Sequence, residues 1–222
     1  MRAAYYEKLG TAADVLTVGE VETPAPAPGE IRLRMQVSGV NPSDTKARLN
    51  GRGGGMPFPF IIPHSDGAGV IDAVGEGVGA DRVGRRAWVM NGQYGRALGT
   101  AAEYIVLPQK FVIDLPDGAD IAEAACFGIP FLTAWRAVTM MGDVTGKNVL
   151  VQGGAGAVAH HAIQVAKRNG AKVLTTVSSP EKADYALAAG ADEALNYKDD
   201  DFVQQLLSKT DGKGADLIIE VN

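Results

Sequence analysis

The glycine-rich turn at residues 154–159 constrains the fold of this chain more than any other feature. It reads GAGAVA, fits the pattern G-x-G-x-x-G/A, follows an apolar strand and opens a helix. In that context Gly154 permits a tight turn, Gly156 lets the backbone approach a pyrophosphate, and Ala159 allows close packing of helix on sheet. The N–H groups of the first helical turn then face the phosphates. The pattern predicts a dinucleotide site that includes Gly154, Ala155, Gly156, Ala157 and Val158.

From residue 121 onward the chain alternates between helix-like and strand-like segments. After a helical stretch at 121–142, strands are predicted at 147–152, 172–177, 193–196 and 216–222, and helices at 157–169, 180–189 and 199–210. This alternation is typical of a parallel, doubly wound sheet. In the helix that follows the glycine turn, the spacing predicts one buried face made by Val158, Ala162, Val165 and Ala166.

A complete dinucleotide-binding sheet has six strands. The sequence predicts four, so we expect this chain to be a fragment that stops after its fourth strand and leaves a sheet edge open.

The first 120 residues have the pattern of short strands joined by turns. Apolar and polar residues alternate over 30–37, which predicts a half-buried antiparallel strand. A loop broken by glycine and proline follows at 50–63, and two strand-like pieces lie within 67–79. We therefore predict an irregular β-barrel or folded sheet over residues 1–120 and a nucleotide-binding domain over 121–222.

The end of the second parallel strand indicates which nucleotide is bound. An NAD site places an acidic residue about 20 residues beyond the glycines, to hold the ribose 2′-hydroxyl. Residues 176–180 contain none; Ser178, Ser179 and, one turn further, Lys182 stand there instead and suit a 2′-phosphate. NADPH is the favoured cofactor. Alternatively, residues 178–180 cap the next helix, with Glu181 in its first turn, and both roles can hold together.

Charge and cysteine content restrict the other classes of function. The net charge of -5 argues against a nucleic-acid or anionic-membrane partner, and no apolar run reaches 18 residues. Cys126 is the single cysteine, so a disulfide or a multi-thiolate metal site within one chain is impossible. Cys126 lies in an apolar segment and is predicted to be a small core residue. These features favour a cytoplasmic protein.

Several ordered segments resemble the zinc-free quinone oxidoreductase (zeta-crystallin-like) family of the medium-chain dehydrogenases and reductases. They are SGVNPSDTKAR (38–48), PHSDGAGVIDAVG (63–75), GTAAEYIVLP (99–108), PFLTAWRAV (130–138) and the glycine-rich segment. The resemblance covers essentially the whole chain. It implies a GroES-like β-barrel followed by a Rossmann domain, apparently truncated after its fourth strand. It also implies a homodimer for the full-length protein.

The resemblance assigns roles to individual residues. Asn41 and Asp44 match a segment at the nicotinamide end of the family's cleft, and Thr133 matches a threonine that is also near the nicotinamide. Ser178, Lys182 and Tyr197 match positions near the adenosine phosphate. Independently, Asn41 precedes Pro42, so its backbone should be extended. The alternative for residues 41–44 is a simple Asx or Ser turn.

Two departures from the family pattern affect these roles. Glycine is usual where this chain has Ala157 and Ala159, and Gly-x-Glu is usual where it has residues 64–66, His-Ser-Asp. In zinc alcohol dehydrogenases that second segment contains a zinc-binding histidine. Here Asn41 stands in place of the first cysteine ligand and the four-cysteine lobe is missing, so we predict no metal. His64 and Asp66 could instead form a pH-sensitive hydrogen-bonded pair.

Without a zinc ion to polarise a simple carbonyl, the acceptor should be a quinone or a conjugated enone or enal. We predict a catalytic set of Asn41, Asp44 and Tyr94, with Tyr94 or water as the proton source. Reduction of an activated carbon–carbon double bond is one alternative function. A non-catalytic NADPH-binding protein is the other.

Overall fold

The computed structural model describes residues 1–220, and the chain divides into two compact units, Met1–Ile129 and Pro130–Asn222. Each unit has its own hydrophobic core. The division falls inside the helical stretch 121–142, at a π-helical turn over Phe127–Phe131. The domain boundary after residue 120 stays a prediction from the sequence.

The first unit is built on antiparallel strands. Strands β1 (Arg2–Tyr5) and β2 (Thr17–Glu20) pair with each other. A five-stranded sheet has the order β6-β3-β4-β5-β7, with β3 at Glu30–Gly39, β4 at Asp66–Val74, β5 at Arg86–Val89, β6 at Tyr104–Pro108 and β7 at Val112–Asp114.

The predicted alternation in β3 is confirmed at its start. Ile31 and Leu33 are completely buried in the core of this sheet. The register between β3 and β4 shifts twice, between Arg32 and Leu33 and again between Met35 and Val37. Because a β-bulge turns the residues beyond it, Met35 and Val37 are only partly buried. The predicted half-buried strand is thus present, and the pairing of its second half with β4 is irregular.

Three helices complete the first unit: α1 (Ala12–Val15), α2 (Pro42–Asn50) and α3 (Ile121–Ala124). Helix α2 begins just after β3, and Pro42 occupies its first turn, where proline costs no hydrogen bond. Cys126, predicted to be a core residue, is exposed. That prediction was wrong because Ala124 and Ala125 fill the buried face of this segment.

The second unit is a parallel α/β sheet, which confirms the predicted alternation. Its strand order is β10-β9-β8-β11, and all neighbours are parallel. In chain order its elements are α4 (Leu132–Thr139), β8 (Asn148–Val151), α5 (Ala157–Arg168), β9 (Lys172–Val177), α6 (Pro180–Ala188), β10 (Glu193–Asn196), α7 (Phe202–Lys209) and β11 (Leu217–Ile219). The predicted last strand extended to residue 222, and residues 221–222 lie outside the described part.

The core of the second unit lies between α5 and the sheet. Ala162 and Ala166 are completely buried on α5, beside Val149, Val151 and Val173 of the strands. Small alanine side chains let the helix backbone approach the sheet closely. Burial of each methyl group stabilises the folded state by about 0.8 kcal/mol. Among residues 1–220, none of the helices is both long and apolar enough to cross a membrane.

Candidate functional site

The first site element is the N-terminus of α2, which Asn41 caps. The backbone of Asn41 is extended, with φ -117° and ψ 156°, as the following proline requires. The backbone N–H of Asn41 donates to the carboxylate Oδ2 of Asp44 at 2.8 Å. Residues 41–44 thus form the capped first turn of α2, which places Asn41 and Asp44 together.

Asp66, which the sequence did not assign to the site, holds the side chain of Asn41. The Nδ2 of Asn41 donates to Asp66 Oδ2 at 2.8 Å, and the backbone N–H of Ile129 lies 2.9 Å from both carboxylate oxygens. Asp66 is only 1% exposed, and burial raises its pKa to about 6 despite these donors. The amide of Asn41 is thus fixed by a carboxyl group whose ionisation is costly.

Asp44 is the second buried carboxyl group of this cluster. It is 5% exposed, and its Oδ1 has no hydrogen-bond partner within the described residues. Burial raises the pKa of Asp44, although its hydrogen bond with Asn41 and the charges of His64 and Arg52 oppose the shift. A buried oxygen without a hydrogen-bond partner is rare in proteins. Its presence here suggests that the cluster has a role other than packing the core.

His64 joins the cluster through hydroxyl groups. Its Nδ1 lies 2.9 Å from Ser38 Oγ, which lies 2.9 Å from Thr100 Oγ1, and Thr100 in turn donates to the backbone carbonyl of Asp66 at 2.6 Å. The His64–Asp66 hydrogen bond that the sequence left open as a possibility is not among the hydrogen bonds of the described residues, where His64 Nδ1 contacts Ser38 instead. Burial lowers the pKa of His64, which favours its neutral form.

The conformation of His64 explains the glycine that the family usually has at this position. Its φ of 75° lies in the left-handed region, which glycine adopts without cost and other residues rarely do.

The residues of this cluster do not form a metal-ligand set. Within residues 1–220, no group of three or more histidine, cysteine, aspartate or glutamate side chains could hold a metal ion. The amide nitrogen of Asn41 is a donor to Asp66, and amide nitrogens do not bind zinc as thiolates or imidazoles do.

A cavity of about 600 Å³ lies beside this cluster in the first unit. Tyr94 stands at its wall and is 70% exposed. Asn41 and Asp44 do not line it, but Ser43, which lies between them in the chain, and Ile129, which binds Asp66, do. The lining side chains are those of Ser43, Lys46, Ala47, Asn50, Arg52, Ser65, Asn91, Tyr94 and Ile129, with Gly51.

Sequence reasoning missed most of the cavity wall. Ser43, Lys46, Ala47 and Asn50 recur at i, i+3, i+4 and i+7 on α2, which is the spacing of one helix face. That signal was present in the sequence. Nothing in the sequence indicated that Asn91 and Ile129 would join this face.

In the second unit the individual glycines of the turn have roles that differ from the predicted ones. Gly153 has the positive φ of 66°, so it makes the tight turn that the sequence pattern assigned to Gly154. Gly154 is needed for close packing, because a Cβ there would lie 2.3 Å from Thr175 Oγ1. The N–H of Gly153 donates to Thr176 Oγ1 at 2.8 Å, which ties the turn to β9.

The turn leaves open space at the N-terminus of α5. Gly156 caps the helix, and a Cβ on it would meet only the carbonyl oxygen of Gly153, at 3.2 Å. Ala157 is exposed and Ala159 is 3% exposed, so the first faces outward and the second packs on the sheet. The first-turn N–H groups, including those of Ala157 and Val158, have no acceptor within an α-helix and can bind a phosphate.

Ser178, Ser179, Lys182 and Tyr197 come together at the carboxyl ends of β9 and β10. The Nζ of Lys182 donates to Ser178 Oγ at 3.0 Å, and the N–H of Tyr197 donates to the Val177 carbonyl at 3.2 Å. Ser179 caps α6 by accepting from the N–H of Lys182 at 3.5 Å, which is the alternative role that the sequence predicted. Thr133 lies exposed in the first turn of α4.

Comparison with known proteins identifies the family. The family model described as the alcohol dehydrogenase GroES-like domain matches residues 27–117, and the model described as zinc-binding dehydrogenase matches residues 157–222. Quinone oxidoreductase of Rattus norvegicus is 32% identical over the whole chain, which covers 66% of that protein. A GroES-like domain followed by a parallel α/β sheet makes this chain a member of the medium-chain dehydrogenase/reductase superfamily.

Within that superfamily the chain belongs to the quinone oxidoreductase, or zeta-crystallin-like, family. A solved quinone oxidoreductase from Pseudomonas syringae superposes with a TM-score of 0.82 and 33% identity, covering 98% of this chain and 65% of that one. An NAD-dependent alcohol dehydrogenase superposes with a TM-score of 0.87 and 32% identity, covering 98% and 70%. A mycobacterial protein complexed with NADPH superposes with a TM-score of 0.82 and 30% identity, covering 98% of this chain and 66% of that one.

These matches confirm the predicted family and fold class. The chain spans 66% of the length of the quinone oxidoreductases that it matches.

Proposed function

We propose that this protein is a zinc-independent oxidoreductase that uses NADPH to reduce a quinone. The observation that carries the proposal is the convergence of Ser178, Lys182 and Tyr197 at the strand ends beside an open glycine turn. Backbone donors at an open turn and a lysine beside it are what a phosphorylated dinucleotide requires. The quinone oxidoreductase relatives and the NADPH-complexed neighbour support the same choice.

The cofactor would be held along the carboxyl edge of the second unit's sheet. The first-turn N–H groups of α5, with Gly156 and Ala155, would bind the pyrophosphate. Lys182 and Ser178 would bind the adenosine 2′-phosphate, since their side chains already point to one spot. Tyr197 is 55% exposed there and offers a ring and a hydroxyl to the adenosine. The reduced nicotinamide would supply a hydride to the acceptor.

Asn41 and Thr133 are each proposed, from the family resemblance, to contact the nicotinamide. Asp66 gives Asn41 a fixed rotamer, because the amide N–H is committed to the buried carboxyl group. A residue that is locked by a second hydrogen bond positions its ligand with little loss of entropy. Asp44 supports the same turn through the N–H of Asn41, so we assign it a positioning role.

Reduction of a quinone to a hydroquinone consumes one hydride and one proton, so the site also needs a proton source. Tyr94 is the candidate within the cavity wall, and its exposure shows that water reaches the same place. If Tyr94 donates the proton, Tyr94→Phe lowers kcat about tenfold or more with little change in KM. If water donates it, kcat of the variant stays within about twofold of the wild type.

The test of the function is NADPH oxidation by the full-length protein, with quinones and conjugated enals compared side by side. Faster turnover of quinones supports the proposal. Faster turnover of enals assigns the protein to the reductases of activated carbon–carbon double bonds. Tight NADPH binding without turnover of either class makes it a non-catalytic NADPH-binding protein, and a clear preference for NADH overturns the cofactor assignment. The homodimer and the cytoplasmic location stay predictions.

A further inference from the structure

The cavity beside the Asn41 cluster is lined by positive charge and by no negative charge. Lys46, on the exposed face of α2, and Arg52, half-buried in the loop after it, are its two ionised side chains. The chain as a whole has 26 acidic and 21 basic residues, so a purely cationic lining runs against its average.

Neither cation of the cavity is neutralised by an ion pair in the described structure. Elsewhere in residues 1–220, Arg32, Arg82, Arg85, Lys167 and Lys209 each pair with a carboxylate. The carboxyl group known to feel the charge of Arg52 is Asp44, which is buried and makes no hydrogen bond to it. Two unpaired cations facing one space of this size form an attractive site for an anion.

The rest of the cavity wall suits a flat ring. Ala47, Ile129 and the ring of Tyr94 supply apolar surface, and the methylene stems of Lys46 and Arg52 extend it. Asn50, Asn91 and the two serines offer uncharged hydrogen-bonding groups. A volume of about 600 Å³ accommodates a bicyclic molecule with a side chain.

The cavity also adjoins the groups assigned to the reaction. Ile129 lines it and also donates its backbone N–H to Asp66, and Ser65 lines it directly before Asp66 in the chain. A molecule in the cavity is therefore next to the residues that orient Asn41.

We propose that this cavity binds the electron acceptor and selects one that has a carboxylate or sulfonate group beside its reducible ring or double bond. Lys46 and Arg52 are the specificity-determining residues. This inference rests on the proposed oxidoreductase function and adds the class of acceptor to it.

The experiment compares two acceptors that differ in charge and by a single methyl group: a 1,4-naphthoquinone with a carboxyethyl side chain, and its methyl ester. At low ionic strength the full-length wild-type protein should reduce the acid with a kcat/KM about tenfold above that of the ester, since the carboxylate can pair with Lys46 or Arg52 and the ester cannot. In the double variant Lys46→Gln, Arg52→Gln this ratio should fall to about one, and 0.5 M salt should reduce the wild-type ratio.

Matched variants isolate the charge. Arg34 is exposed on β3 and does not line the cavity, so Arg34→Gln removes one charge elsewhere and should keep the wild-type ratio. Lys46→Arg retains the charge in place and should also keep it. An acid-to-ester ratio near one in the wild type, or an unchanged ratio in the double variant, overturns the proposal. A rise in the KM for NADPH without a change in the ratio also overturns it, because the cations would then bind cofactor phosphates.

Equilibrium binding of both acceptors in the absence of NADPH separates this inference from the proposed function. If the acid binds more tightly than the ester and the double variant loses the difference, the anion site stands even where no NADPH is oxidised. If both acceptors are reduced at equal rates and bind equally, the oxidoreductase function stands and the anion site does not.

Discussion

Asp66 combines nearly complete burial with two hydrogen-bond donors, Asn41 Nδ2 and the N–H of Ile129. Desolvation outweighs the donors, so the pKa of its carboxyl group rises to about 6. A carboxyl group whose pKa is higher in the folded than in the unfolded chain binds its proton more tightly when folded. Its contribution to stability is therefore fully present below about pH 4 and is lost as the pH rises through about 6.

Asp66→Asn should remove this pH dependence. As the pH rises from about 4 to 7, the free energy of unfolding of the variant should increase relative to that of the wild type by up to about 3 kcal/mol. Urea unfolding at several pH values measures the difference. Asp117→Asn is the control, because Asp117 is exposed, and it should follow the wild type. Parallel curves for Asp66→Asn and the wild type would contradict the assignment.

Lys182 is the residue that should distinguish the two cofactors. Its Nζ already lies on Ser178 Oγ, and a lysine–phosphate hydrogen bond contributes roughly 1.5–3 kcal/mol. Lys182→Ala should raise the KM for NADPH by about tenfold or more and leave the KM for NADH within about twofold. Lys213→Ala, an exposed lysine in the loop before β11, should change neither. Equal effects of Lys182→Ala on both cofactors would refute a 2′-phosphate contact.

At the scale of elements, the turn between β8 and α5 requires a left-handed backbone at one position and close packing at another, and a different glycine supplies each. Gly153 takes the left-handed backbone, and Gly154 leaves room for Thr175 of β9. Thr175 is itself fixed, since its hydroxyl donates to the Val151 carbonyl at 2.6 Å. The turn and the two central strands are therefore one packed unit, which holds the N-terminus of α5 in place.

Gly154→Ala should destabilise the protein by about 2–4 kcal/mol, because the new methyl group would overlap the side chain of Thr175. Gly156→Ala is the control, since its methyl group would meet only one carbonyl oxygen, and it should cost about 1 kcal/mol or less. Denaturant unfolding measures both. The double variant Gly154→Ala, Thr175→Ala should lose less stability than the two single variants lose in sum. Strictly additive losses would show that the two side chains do not clash.

At the scale of the whole molecule, the two units have separate tasks. The second unit contains the glycine turn and the Ser178–Lys182 cluster, and the first contains the cavity and the Asn41–Asp66 network. Cofactor and acceptor are thus assigned to different parts of the chain, so their binding should leave different footprints.

NADPH should slow amide hydrogen exchange most strongly in residues 153–160 and 178–182, and at 100 times its Kd it should stabilise the protein by about 2.7 kcal/mol. Exchange followed by mass spectrometry measures the footprint. As a control ligand, 2′-phospho-ADP-ribose lacks the nicotinamide but keeps the phosphates. It should protect the same two segments, since both segments are assigned to phosphate binding. Protection confined to strands of the first unit would contradict the placement of the cofactor.

Features that depend on near neighbours in the chain were predictable from the amino-acid sequence. The period of α5 predicted its buried face, and Ala162, Val165 and Ala166 are buried there. The alternation of strands and helices and the extended backbone at Asn41 were likewise correct. Helix and strand patterns are local, because each side chain's direction follows from its place along the backbone.

Contacts between residues that are distant in the chain were not predictable in this way, because they depend on the fold. Asn41, Asp66 and Ile129 meet through the pairing of β3 with β4 and the turn after α3, and the burial of Asp66 in this arrangement raises its pKa. The cavity that joins Arg52, Tyr94 and Ile129, the exposure of Cys126 and the division of roles between Gly153 and Gly154 are of the same kind. Each depends on which backbone lies within a few ångströms, and sequence spacing does not contain that distance.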